Sequence, residues 1–204
     1  MRAILFDIGN VLVAYNHRQT LNTVAAVFGV DRDRIAELYH AIGPAFGRGE
    51  LTPAQVCAFL NQRLAASVGL DQFTTAFCAG LTRDAGALQE AASLQVEGEL
   101  YVGAISNTNA VHVAWLDEHA PELAQFELVI MSNEVGLLKP DPEIFALALD
   151  LLDLPAAQTL YIDDAAENVV AAQQLGIASF VHIDWAQTRR RIAAWRSGAP
   201  FSPA

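Results

Sequence analysis

Ala3, Ile4, Leu5 and Phe6 form an apolar run with no polar residue inside it, and Asp7 stands at its end. A strand with one face in water alternates polar and apolar positions. A run without alternation needs apolar cover on both faces, as in the interior of a parallel sheet. Similar runs follow at residues 100–105, Leu128–Met131 and 160–162, and a fifth, Ala178–Val181, comes soon after. Helical patterns lie between them over Ala110–His119, Pro142–Leu152 and residues 166–175, the last stopped by Gly176. Strand alternating with helix predicts βαβ crossovers and an α/β fold around a parallel sheet.

The interval from residue 15 to residue 98 is far longer than one crossover needs and shows helical patterns without a convincing strand. Residues 18–28 end at Gly29, Asp31 can cap a helix running to Ile42 before Gly43-Pro44, and Thr52-Pro53-Ala54-Gln55 reads as a capping box opening a helix toward Ser67. The pattern over 85–97 reads as the helix that enters the second sheet strand. We therefore expect a core from residues 1–14 and 83–204 and an inserted helical cap from 15–82. The residues after Ser197 read as a frayed end.

A chain of 204 residues with 53% hydrophobic content can bury a full core. Its net charge of -11 and the lack of an extended basic run disfavour nucleic acid and anionic membranes as partners. With the first strand beginning at Ala3 and no apolar run of membrane-spanning length, a cytoplasmic location is expected. Cys57 and Cys78 sit in apolar helical patterns and read as reduced core residues. Trp115, Trp185 and Trp195 read as packing residues.

Ligands of open parallel sheets bind beyond the carboxyl ends of the strands. The first strand is followed by Asp7-Ile8-Gly9-Asn10, the second by Ser106-Asn107-Thr108, the third by a loop carrying Lys139-Pro140-Asp141, and the fourth by Asp163-Asp164. Taken singly, an Asp, Ser or Asn after a strand is often a helix cap, and Asp141 before Pro142 reads as one. As a set, three carboxylates at one sheet edge repel one another unless a cation sits among them, and a hard ion such as Mg2+ suits that need. The hydroxyl, amide and lysine are donors suited to the oxygens of an oxyanion.

These four stretches, in order and on the expected elements, resemble the motifs of the haloacid dehalogenase superfamily, and the resemblance covers nearly the whole chain. Asp7-Ile8-Gly9-Asn10-Val11 is similar to its Asp-x-Asp first motif with one substitution, Ser106 to the second motif, Lys139 to the third and Asp163-Asp164 to the fourth. The resemblance implies a Rossmann-like core with a helical cap, and a Mg2+-dependent phosphatase that hydrolyses a small phosphorylated metabolite. Asp7 would attack phosphorus to form an aspartyl phosphate. Asp7, the Gly9 carbonyl, Asp164 and Asp163 would hold Mg2+, and Ser106, the Asn107 backbone amide and Lys139 would hold phosphoryl oxygens. Asn168 falls where relatives carry another acid, with a plain helix-face amide as the alternative. Arg48, on the inserted segment, is a candidate substrate contact or a solvated turn residue.

Gly9 departs from the pattern, because the aspartate that normally stands there protonates the leaving group and then activates water. General acid–base catalysis is worth roughly 10²–10⁴-fold, so the substrate needs a good leaving group or another residue must supply the proton. Tyr15, Asn16 and His17 follow closely enough to be near. The Asp-x-Gly-Asn-Val form also resembles a phosphatase subgroup acting on sugar phosphates including glucose 1-phosphate, which favours the first solution. Two rivals remain: a metal-free 2-haloacid dehalogenase, disfavoured by Asp163-Asp164, and a non-catalytic phosphate-binding protein.

Overall fold

Both faces of the first strand, β1 (Arg2–Phe6), are covered. Ile4 and Phe6 enter one apolar cluster with Leu88, Val102, Leu116 and Phe180, whereas Ala3 and Leu5 enter another with Ile105, Ile130, Phe145 and Tyr161. Burying a large apolar side chain is worth about 1.5–3 kcal/mol, so an unalternating run is most stable where both sheet faces are packed. The structure, a computed structural model, describes residues 1–97 and 99–198. The residues read as a frayed end lie, from 199 onward, outside the described residues.

After β1 come a short strand β2 (Val13–Tyr15), helices α1 (His17–Phe28), α2 (Arg32–Gly47), α3 (Pro53–Leu64) and α4 (Leu70–Phe77), and a second short strand β3 (Leu81–Arg83). The chain continues through α5 (Ala85–Ser93), β4 (Leu100–Ser106), α6 (Ala110–His119), β5 (Leu128–Met131), α7 (Ser132–Val135) and α8 (Pro142–Leu152). It ends with β6 (Thr159–Asp163), α9 (Ala166–Gln174), β7 (Ala178–Val181) and α10 (Trp185–Arg196). The five long strands pair in parallel in the order β5-β4-β1-β6-β7. The fold is α/β, with helices around a parallel five-stranded sheet. The connection from β1 leads one way, to β4, and that from β6 the other, to β7, which opens a crevice between β1 and β6 where such sheets take ligands.

Three local expectations are corrected. Residues 81–83 are a strand rather than part of a helical stretch, pairing antiparallel with β2 through Val13↔Arg83 and Tyr15↔Leu81. Three residues are too few to display a period of two. The helix expected to stop before Gly43-Pro44 runs on to Gly47, with Pro44 inside it. An internal proline costs about 3 kcal/mol; here Phe46, fully buried and 5.9 Å from the Phe77 ring, and the Gly47 carbonyl, which accepts from Ser132 Oγ at 2.7 Å, favour the extra turn. The pattern over 85–97 is α-helical only to Ser93 and continues as a 3-10 turn over Leu94–Glu97.

Helices α1 to α4 share an apolar cluster containing Leu21, Val24, Leu38, Phe46, Leu60 and Phe73. The capping box at Thr52 and Gln55 forms as read, and Asp141 caps α8 by accepting from Glu143 N. Cys57 is buried, Cys78 half-buried, and both are free. Trp185 packs 5.8 Å from Phe6 and donates to the Val11 carbonyl, Trp195 is buried, and Trp115 stacks on His119. Among the described residues no helix is long and apolar enough to cross a membrane.

Candidate active site

β1 delivers Asp7 to the sheet edge, where its backbone N–H still donates to the Ile162 carbonyl of β6 at 2.8 Å. That ladder bond sets Asp7 beside Asp163, the last residue of β6, and Asp164, the next one. Carboxylate oxygens of the three lie within 4.8 Å of one another. Asp7 and Asp163 are buried, and Asp164 is exposed.

Lys139 is the countercharge. Its Nζ donates to Asp7 Oδ1 at 2.7 Å, Asp163 Oδ2 at 2.8 Å and the Ile105 carbonyl at 2.8 Å, so all three ammonium protons are used. Burial alone would lower the lysine's pKa, but Asp7 and Asp163 more than reverse this and hold the ammonium charged. Burial pushes the Asp7 carboxyl up to about 6, with Lys139 pulling it back and Asp163 adding to the rise. Asp7 Oδ1 also accepts from Ile8 N at 2.7 Å, which leaves Oδ2 as the less engaged oxygen.

Asp163 is the most heavily hydrogen-bonded of the three carboxylates. Beyond Lys139 it accepts from Tyr161 OH, from Ala165 N at 2.8 Å and from Asn168 Nδ2 at 3.0 and 3.1 Å. Asn168 Oδ1, on the same amide, is buried without a partner. Asn10 adopts a left-handed φ of 56° and ties Asp164 to the inserted segment: its Nδ2 donates to Asp164 Oδ2 at 2.9 Å while its Oδ1 accepts from Tyr15 N at 2.9 Å.

A cavity of about 190 Å3 opens on this cluster. Asp7, Gly9, Ser106, Asn107, Lys139, Asp164 and Asn168 line it, so the residues read at strand ends come together there; Asp163 lies directly behind. The Asn107 side chain is corrected from a free donor to a brace. Its Oδ1 accepts from Lys139 N and its Nδ2 donates to the Lys139 carbonyl, both at 2.8 Å, which fixes the lysine's backbone. Arg48, the exposed C-cap of α2, is not among the residues that line the cavity. Tyr15 does line the cavity, and its hydroxyl is paired with His17 Nδ1 at 3.0 Å.

Sequence reasoning missed His112. It sits in the first turn of α6, lines the cavity, and is 9% exposed. Its apolar neighbours make it look like one more core position, and no strand end marks it.

The donor set suits a hard divalent cation: three clustered carboxylates and an orphaned buried amide oxygen are oxygen ligands in want of positive charge.

A family model described as haloacid dehalogenase-like hydrolase matches residues 1–176. The chain is 22% identical over 198 residues to D-ribitol-5-phosphate phosphatase of Bacteroides thetaiotaomicron, covering 92% of this chain and 96% of that one. It is 27% identical over 188 residues to sesquiterpene phosphatase astK of Aspergillus oryzae, covering 86% and 87%. It also matches parts of longer proteins, spanning 7% and 20% of the length of two of them. A HAD family enzyme of Bacteroides thetaiotaomicron, solved with magnesium and inorganic phosphate, has the same fold, with a TM-score of 0.81 and 24% identity over 92% of this chain and 98% of that one. The match to the family model spans most of the chain, and with it the protein belongs to the haloacid dehalogenase-like hydrolases.

Proposed function

We propose that the protein is a Mg2+-dependent phosphatase that cleaves small phosphate monoesters through an aspartyl phosphate on Asp7. The observation that carries this reading is the convergence of Asp7, Asp163 and Asp164 within 4.8 Å around Lys139, at the mouth of a small cavity. The relatives named as phosphatases support it.

Asp7 Oδ2 attacks phosphorus in line, the ester P–O bond breaks, and the leaving oxygen departs with the electron pair as an alkoxide that takes its proton from water. Water then cleaves the acyl phosphate, releasing inorganic phosphate and restoring Asp7. Lys139 holds Asp7 Oδ1 and supplies positive charge beside the transferring group, with the Ser106 hydroxyl and the Asn107 backbone amide available to phosphoryl oxygens. Asp7, the Gly9 carbonyl and Asp164 would hold the metal ion, with Asp163 as direct or water-mediated support. Mg2+, when bound, offsets repulsion between carboxylate and phosphate. Gly9 offers no proton to the leaving alcohol, which favours good leaving groups such as the anomeric oxygen of a sugar 1-phosphate. Residues 15–82 act as a cap over a core of 1–14 and 83–204, and the β2–β3 ribbon at the two crossings supports that division.

The test is hydrolysis of p-nitrophenyl phosphate with and without Mg2+ by the wild type and by Asp7→Asn. We expect turnover that needs the ion and falls at least about 10³-fold in the variant. Equal rates would sink the reading, and metal-free chloride release from 2-chloropropionate would place the chain among dehalogenases instead.

A further inference from the structure

Beyond the phosphate end, the cavity is lined by Val13, Leu81 and Leu116, the ring of Tyr15, and His112. Lys139 is the one cation among the lining residues, and its three protons are taken by Asp7, Asp163 and Ile105. A second anionic group on a substrate would therefore lose its water next to clustered carboxylates and find no countercharge. The volume of about 190 Å3 is below the roughly 300–1,000 Å3 of pockets for drug-sized ligands, which limits the leaving alcohol to a small one.

His112 adds a specific reading group. Its Nε2 lies 3.3 Å from the Phe77 carbonyl, and a carbonyl only accepts, so Nε2 carries the proton. Nδ1 is then a bare acceptor. It has no hydrogen-bond partner among the described residues, and with Nε2 turned to Phe77 it is the ring nitrogen left for a group in the cavity that His112 lines. The ring is held from two sides, by Tyr15 edge-on at 5.3 Å and Phe77 at 5.0 Å. Burial keeps it neutral, lowering its pKa to about 4.

We propose that His112 is a specificity residue whose Nδ1 accepts a hydrogen bond from a hydroxyl on an uncharged leaving alcohol, so that phosphate esters of small hydroxyl-bearing alcohols bind better than those of plain alkanols or of hydroxy acids. This substrate class rests on the phosphatase reading above, with His112 as a specificity residue outside the reacting centre.

Leaving-group basicity would confound a kinetic comparison, so binding is measured instead, by calorimetry on Asp7→Asn with Mg2+. Glycerol 1-phosphate should bind about 10-fold more tightly than propyl phosphate, the value of one neutral hydrogen bond, and more tightly than 2-phosphoglycolate. Adding His112→Phe should bring the glycerol-to-propyl ratio close to 1. Equal affinities in the parent, a ratio unmoved by His112→Phe, or preferred binding of 2-phosphoglycolate would each overturn the proposal. If the double variant does not fold, the parent's two ratios decide alone. Turnover of p-nitrophenyl phosphate by the wild type reports separately: hydrolysis with a flat binding ratio removes this inference only, and a selective ratio without hydrolysis removes the phosphatase reading only.

Discussion

Gly9 stands two residues beyond Asp7 with room for a side chain. A Cβ there meets nothing nearer than Asp7 Oδ2 at 3.9 Å, and the residue is not in the left-handed region that only glycine enters easily. Gly9→Asp should therefore fold and place a carboxyl beside the departing oxygen. We expect it to raise kcat for propyl phosphate by about 10²-fold or more while changing p-nitrophenyl phosphate, whose leaving group needs no proton, far less. An unchanged ratio between the two substrates would show that another residue already donates. Positions such as Asp7, Ser106, Lys139 and Asp163 were legible because each follows an apolar run or precedes a helix, and the sheet's geometry carries every such residue to one edge. Arg48 and His112 were not, since their placement depends on how far α2 runs and on how the inserted helices meet α6. Contacts of that kind join residues remote in sequence and leave no local period.

At the scale of elements, α2 shows packing overriding propensity. Gly49, just past its end at a φ of +73°, lies so close to α7 that a Cβ would stand 2.0 Å from the Asn133 carbonyl oxygen. Phe46, Gly47 and Ser132 join the same contact, with Ser132 Oγ accepting from Thr108 N at 2.9 Å in the loop after β4. Gly49→Ala should thus push the inserted helices away from the loop beyond Ser106. We expect a loss of about 2–4 kcal/mol, from left-handed strain and overpacking together, read as a lower urea midpoint. A midpoint within error of the wild type would mean that α2 does not press on α7 in solution. The α/β sheet itself was legible because its strands are long enough to display unalternated burial. The ribbon of β2 and β3 was not, because pairing rather than pattern defines it.

For the whole molecule, two buried groups make stability depend on pH in opposite senses. His112 is neutral in the fold with its pKa lowered to about 4, first by burial, against an ordinary 6.5. Between those values the unfolded chain binds more protons than the folded one, so this contribution to stability is lost as pH falls from about 6.5 to about 4. Asp7 is raised from 3.8 to about 6, first by burial, so over that window the folded chain binds more protons and stability grows as pH falls. The two windows overlap between about pH 4 and 6, and there the contributions largely cancel. A urea titration of the wild type alone would then show little slope from this pair, even though each group is strongly perturbed. The variant separates them. With His112→Gln, the wild type's stability relative to the variant should shrink as pH is lowered from 6.5 toward 4, by up to about 1.4 kcal/mol per pH unit, the limit for one proton. A difference independent of pH would mean that His112 is solvated in the native protein, and the acceptor assigned to its Nδ1 would lose the buried, fixed ring it depends on.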